Sequence, residues 1–90
     1  MRFDWDTAKA ASNVRKHGVR LSEAAVALQD DSAVTMDDPD SEDEERFISV
    51  GADDLGRVLV TIFTYREDAI RIISSRRTSK KERQIYEESQ

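Results

Sequence analysis

Along the chain, the spacing of apolar and polar residues changes once, from helical to extended. In the first 30 residues Ala10, Val14 and His17 fall at i, i+4 and i+7 and share one stripe, while Lys9, Asn13 and Lys16 form a neighbouring polar stripe with the same spacing. Asp6 is placed to cap this helix, over Thr7 to His17, and Gly18 to stop it. Phe3 and Trp5 alternate with charged residues just before it and read as core or helix-staple side chains. Ser22 is the expected N-cap of a short second helix ending near Leu28, whose run Ala24, Ala25, Val26, Ala27 suits close packing.

From residue 32 the chain turns to strand-length runs of Val, Ile, Phe and Thr: Ser32 to Met36, Arg46 to Gly51, Val58 to Thr64 and Ala69 to Ser75. The connections DDPDSEDE, ADDLG and YRED are too short for parallel crossovers, so the four strands are expected to form an antiparallel meander. In the last strand Ile70, Ile72 and Ser74 are expected on one face, and Arg71, Ile73 and Ser75 on the other. Both faces are then partly apolar, as in a sheet with helices on one side and a partner or substrate cleft on the other. Ser79 and Glu82 have the S-x-x-E spacing of a capping box and open a last helix containing Arg83, Ile85 and Tyr86. The order ααββββα predicts an α+β fold in one domain spanning 1–90: two N-terminal helices, a four-stranded antiparallel sheet and a C-terminal helix.

Composition narrows what such a domain does. At 90 residues and 38% hydrophobic, the chain builds one modest core and leaves room for a partner subunit to complete its burial. No Cys is present, so there is no disulfide framework or thiolate nucleophile, and a single His does not make a zinc site. The Asp37 to Glu45 run lacks the spacing and central Gly of a calcium loop, and reads as a solvated loop or a contact for a basic partner. Neither a metal nor a cofactor is expected. The first twenty residues contain no apolar signal region, and the longest apolar run, Val58 to Phe63, falls far short of the ~20 residues a bilayer crossing needs, so a cytoplasmic location is expected.

The net charge of −5 conceals an uneven distribution. Residues 21 to 45 hold ten acids and no Lys or Arg. Between Arg66 and Arg83 there are seven basic residues against three acids, and Lys9, Arg15, Lys16 and Arg20 form a second basic group. If the two groups meet, an acidic body carries a local anion site. No phosphate loop, dinucleotide fingerprint, nucleophile elbow or metalloprotease helix is present, which leaves phosphate chemistry by side chains. Metal-free RNA cleavage needs a base for the 2′-hydroxyl, cations for the phosphorane and an acid for the leaving 5′-oxygen. Arg76 and Arg77 either present guanidinium forks to a phosphate or hold the C-terminal segment through acids such as Glu87. His17 either moves a proton or sits against the carbonyls of its helix end. Lys9 and Lys16 either line a phosphate path or solvate a face, and Tyr86 either donates a proton, stacks on a base or packs.

Five motifs in register then resemble the BrnT family of type II toxins. They are F-x-W-D-x-x-K-x-x-x-N-x-x-K-H-G-V (Phe3 to Val19), S-E-A (Ser22 to Ala24), E-E-R-F (Glu44 to Phe47), I-R-I-I-S-x-R (Ile70 to Arg76) and E-R-x-x-Y (Glu82 to Tyr86). The resemblance implies a RelE-like fold and a metal-independent ribonuclease that stops translation by cutting RNA. It also implies a BrnA-type ribbon-helix-helix antitoxin, whose dimer captures two toxins in a 2:2 assembly and reaches operator DNA on the toxin's behalf. Carried onto this chain, it makes His17, Arg66, Arg76 and Tyr86 catalytic candidates, and Lys9, Lys16, Arg46 and Arg71, with the adjacent Arg77, candidates for RNA contact. The acidic balance departs from what an RNA-cleaving toxin is expected to carry and weakens long-range attraction to RNA. A second reading therefore stands beside the first: a non-catalytic partner that binds the antitoxin and modulates operon repression.

Overall fold

The meander is present with one more strand beside it. In a computed structural model describing residues 1–90, β1 (Arg2–Asp4), α1 (Thr7–His17) and α2 (Leu21–Leu28) precede β2 (Val34–Asp37), β3 (Phe47–Ala52), β4 (Val58–Arg66), β5 (Ala69–Arg77) and α3 (Lys80–Glu88). Strands β2 to β5 pair antiparallel in sequence order, and β1 joins β5 in parallel through Phe3↔Ile70, giving the order β1-β5-β4-β3-β2. The expected four-stranded antiparallel sheet is therefore corrected to a five-stranded mixed one. Phe3 and Trp5 do pack on the core as expected, with Phe3 doing so from within a strand. No helix is long and apolar enough to cross a membrane.

The helix ends follow local chemistry. The Asp6 carboxylate accepts the N–H groups of Ala8 (2.8 Å) and Lys9 (3.1 Å), and Gly18 ends α1 at φ 67°, where a side chain would be strained. Helix α2 starts two residues earlier than Ser22 would place it. Its cap is Arg20, whose N–H donates to the Glu23 carboxylate at 2.8 Å, so Ser22 lies inside the first turn. The box at α3 is as expected: Ser79 N–H donates to Glu82 at 2.7 Å and Glu82 N–H to the Ser79 hydroxyl at 3.2 Å.

Helices α1 and α2 cover one sheet face. Leu21, Ala24 and Ala25 pack on Ile72 with Phe3, Trp5, Ala10 and Ile70 around them, and Val19 and Ala27 pack on Leu59. Gly51 permits this approach, since a Cβ there would lie 2.6 Å from the Ala27 carbonyl oxygen. On the other face Val50, Val58 and Val60 form a small buried cluster, against which the partly buried Ile48 and Tyr86 of α3 pack. Helix α3 buries no residue of its own. Its far half is held by the Tyr86 hydroxyl, which donates to Asp30 at 2.5 Å. That bond, aided by burial, raises the Tyr86 pKa. Burial works against the charge on Asp30, but the Ala52 N–H, the Tyr86 hydroxyl and the Ser32 N–H outweigh it and keep its carboxyl below the usual range.

Two details overturn the face assignments made from periodicity. Val14 is 42% exposed, whereas Asn13, placed in the polar stripe, is buried. Asn13 faces β5 beyond the point where β1 ends. There its carboxamide acts as a short substitute strand, accepting Ser75 N–H at 3.0 Å and donating to Ser75 C=O at 2.7 Å, with a further donation to Val19 C=O at 2.9 Å. Strand β5 also carries a bulge: Ile62 pairs with Ser74 and Phe63 with Ile72, leaving Ile73 without a partner. The expected alternation is thereby shifted. Ser75 joins Ile72 on the covered face, its hydroxyl 3.0 Å from that of buried Thr61, and Ser74 turns to the open face.

Asn13→Ala leaves three buried backbone groups unpaired at once and is expected to cost about 3 kcal/mol in urea unfolding. A loss below about 1 kcal/mol would mean that water satisfies those groups equally well.

Candidate functional site

The face left open by the helices forms a cleft of about 660 Å³. Its floor follows from the register: Met36, Ile48, Ile62 and Ser74 make one cross-strand row, and Val50, Val60 and Arg76 the next. Because strand side chains alternate, Arg46 falls on the same face as Ile48 and Val50, and Asp38 on the face of Met36. Pairing continues past the strand ends through Asp38 N–H to Arg46 C=O at 2.9 Å, which brings the lip 38–46 against the cleft. Ile85 and Glu82 close it from α3, and His17 reaches it from the end of α1.

Three cationic or titratable groups therefore converge there, namely His17, Arg46 and Arg76, opposite Asp38, Asp40 and Glu82. Arg46 is half-buried and has no ion-pair partner. Arg76 is paired end-on, its Nη1 and Nη2 each 2.8 Å from one oxygen of Glu82. The Arg76 contact, with the N–H and hydroxyl of Ser79 and against the opposing effect of burial, pulls the Glu82 pKa from an ordinary 4.5 to about 2. Glu82 is thus a fixed anion near neutrality and holds no proton to give. The same contact raises the Arg76 pKa.

A smaller groove of about 250 Å³, lined by Lys9, Ser12, Asn13, Lys16, His17, Ile73 and Ser74, shares His17 and Ser74 with the cleft. The two basic groups of the sequence therefore meet in part: Lys9 and Lys16 adjoin the cleft at the β5 bulge, while Arg15 and Arg20 line neither opening. Other candidates are engaged elsewhere. Arg66 pairs with Glu44 at 3.3 Å, Arg71 with Asp4 at 3.2 Å, and Tyr86 with Asp30. Arg77 is exposed at the end of β5 and lines neither opening. The acid that meets Arg76 is Glu82 rather than Glu87, which pairs with Arg83 at 3.5 Å. Glu82, Ser74, Asp38 and Asp40 are polar residues of the cleft to which the sequence assigns no part in the site. Of these only Glu82 had a signal, and its fit to a capping box accounted for it fully.

An apolar trough with two guanidinium groups and an imidazole at its rim can seat a base or sugar while binding the phosphate that follows it. The family model that describes the BrnT ribonuclease toxins of type II toxin-antitoxin systems matches residues 5–82 of this chain. Among solved structures, the 1.1 Å crystal structure of the Brucella abortus ribonuclease toxin BrnT is similar, with a TM-score of 0.70 and 26% identity over 89% of this chain and 99% of that one. No curated protein matches this sequence.

Because Glu82 is held below its unfolded pKa, the Arg76 pair stabilises the fold fully above about pH 4.5, and this contribution disappears as pH falls through about 2. The stability difference between wild type and Glu82→Gln in urea titrations is therefore expected to close across that window. A difference independent of pH there would show that the pair contributes no such linkage.

Proposed function

The chain belongs to the BrnT family of ribonuclease toxins of type II toxin-antitoxin systems, and on that premise we propose that it is a metal-independent endoribonuclease acting in the cleft of the open sheet face. The observation that supports this most is the convergence of His17, Arg46 and Arg76 on one cleft continuous with a lysine-lined groove. In this reading Arg46 and Arg76 bind the scissile phosphate and stabilise the charge that grows on it as the 2′-oxygen attacks. His17, exposed and without a hydrogen-bond partner, is the group that moves a proton. Lys9 and Lys16 lead the RNA backbone to the bulge. Arg66, Arg71 and Tyr86 serve the site indirectly, by holding the connection before β3, β1 and α3 through Glu44, Asp4 and Asp30.

Membership of a type II system implies an antitoxin partner. We take it to be a BrnA-type ribbon-helix-helix protein that assembles 2:2 with this chain in the cytoplasm and makes the operator contacts. The single domain 1–90 then supplies both the nuclease cleft and the antitoxin surface. The acids at the cleft favour one other reading, in which Glu82 offsets Arg76, Asp38 and Asp40 face Arg46, and the chain binds antitoxin without cutting RNA.

Induced expression separates the two. Wild type is expected to arrest growth and cleave cellular RNA, while Arg76→Ala at matched soluble levels loses about 100-fold or more of the cleavage and still binds antitoxin. Intact RNA and unimpaired growth with the wild type would favour the non-catalytic reading.

A further inference from the structure

Arg76 has two edges on which a planar guanidinium can take a bidentate oxyanion, and one is occupied. Glu82 takes the Nη1–Nη2 edge at 2.8 Å to each nitrogen, and Nη1 also donates to the Arg77 carbonyl at 3.2 Å. The Nε–H and the remaining Nη2 hydrogen have no acceptor within the chain. These two donors make the second edge, with the same spacing as the first.

Glu82 is held firmly as well. Its Oε1 accepts Ser79 N–H at 2.7 Å, and its own N–H is bound by the Ser79 hydroxyl. The carboxylate thus belongs to the first turn of α3, whose other half is tied down by Tyr86 and Asp30. A long Arg side chain at the exposed end of a strand would otherwise sample many rotamers.

We propose that Glu82 is a positioning residue that locks the Arg76 guanidinium so that its Nε–Nη2 edge receives the RNA phosphate. The inference rests on the reading of the cleft as a phosphate site. Because the pair is neutral as a unit, it adds little to the attraction that brings RNA in. Its effect falls on the phosphorane, where added negative charge strengthens a contact already aimed at it. An opposite arrangement, in which Glu82 merely blocks Arg76 until phosphate displaces it, predicts that removing the carboxylate speeds cleavage.

The test is cleavage of a short RNA by the purified chain, comparing wild type with Glu82→Gln, Arg76→Ala, the double variant and Glu87→Gln. Gln keeps the capping geometry of α3 but not the charge. Glu82→Gln is expected to lower kcat about tenfold or more while KM stays within about twofold, and to add nothing to Arg76→Ala. Glu87→Gln breaks the Arg83 pair of α3 and leaves kcat unchanged, which separates positioning from helix stability. A second readout needs no turnover: the Arg76 Nε–H resonance followed during titration with dimethyl phosphate. A sharp signal that moves in the wild type and is broadened and unresponsive in Glu82→Gln supports the proposal. Unchanged or faster cleavage in Glu82→Gln overturns it, as does a wild-type Nε–H signal that dimethyl phosphate leaves in place. If the wild type cuts no RNA, the nuclease reading falls while the resonance still decides the role of Glu82.

Discussion

The open face of the sheet depends on how one exposed strand edge is closed. Strand β1 pairs only with the first three residues of β5, so beyond Arg71 the outer edge of β5 has no strand beside it. The Asn13 carboxamide takes over at Ser75 and at the same time binds the Val19 carbonyl just past the turn at Gly18. One side chain therefore fixes the end of α1 against the strand that carries Ser74 and Arg76. Within that span the bulge at Ile73 turns Ser74 outward, and His17 comes to rest where cleft and groove meet. Asn13 thereby helps fix His17, at the end of α1, relative to Arg76 on β5.

Features set by local chemistry were legible in the sequence. The cap at Asp6, the stop at Gly18, the box at Ser79 and Glu82 and the four-stranded meander all stand where spacing and turn residues put them. Features set by contacts between distant parts of the chain were not. Three residues of β1 are too few to announce a strand, and their partner lies at the other end of the sequence. Asn13 is polar at a polar-stripe position, and only the unpaired edge of β5 explains its burial. The bulge at Ile73 leaves no mark in a run of branched residues, so simple alternation put Ser74 and Ser75 on the wrong faces.

The candidate site divides in the same way. His17, Arg46 and Arg76 were named from residue type and family resemblance, and they converge on one cleft. Arg66, Arg71 and Tyr86 were named on the same grounds and sit in pairs with Glu44, Asp4 and Asp30, because a basic or phenolic residue in a motif serves a fold as readily as a reaction. The acidic balance of the chain also takes on a shape. Asp38 and Asp40 bring the acid-rich connection to the lip of the cleft, and Glu82 neutralises Arg76 within it. In the proposed reading, affinity for RNA comes from contacts made within the cleft and its adjoining groove more than from long-range attraction.

The most direct test of the cleft as the RNA site is backbone amide shift mapping of the free chain with a short RNA carrying a 2′-deoxy substitution at the scissile position, which binds without being cut. Shifts concentrated at His17, Arg46, Ile48, Val60, Ser74 and Arg76 are predicted. Shifts confined to the helix-covered face or to the β4–β5 hairpin around Arg66 would contradict the placement of the reaction on the open face of the sheet.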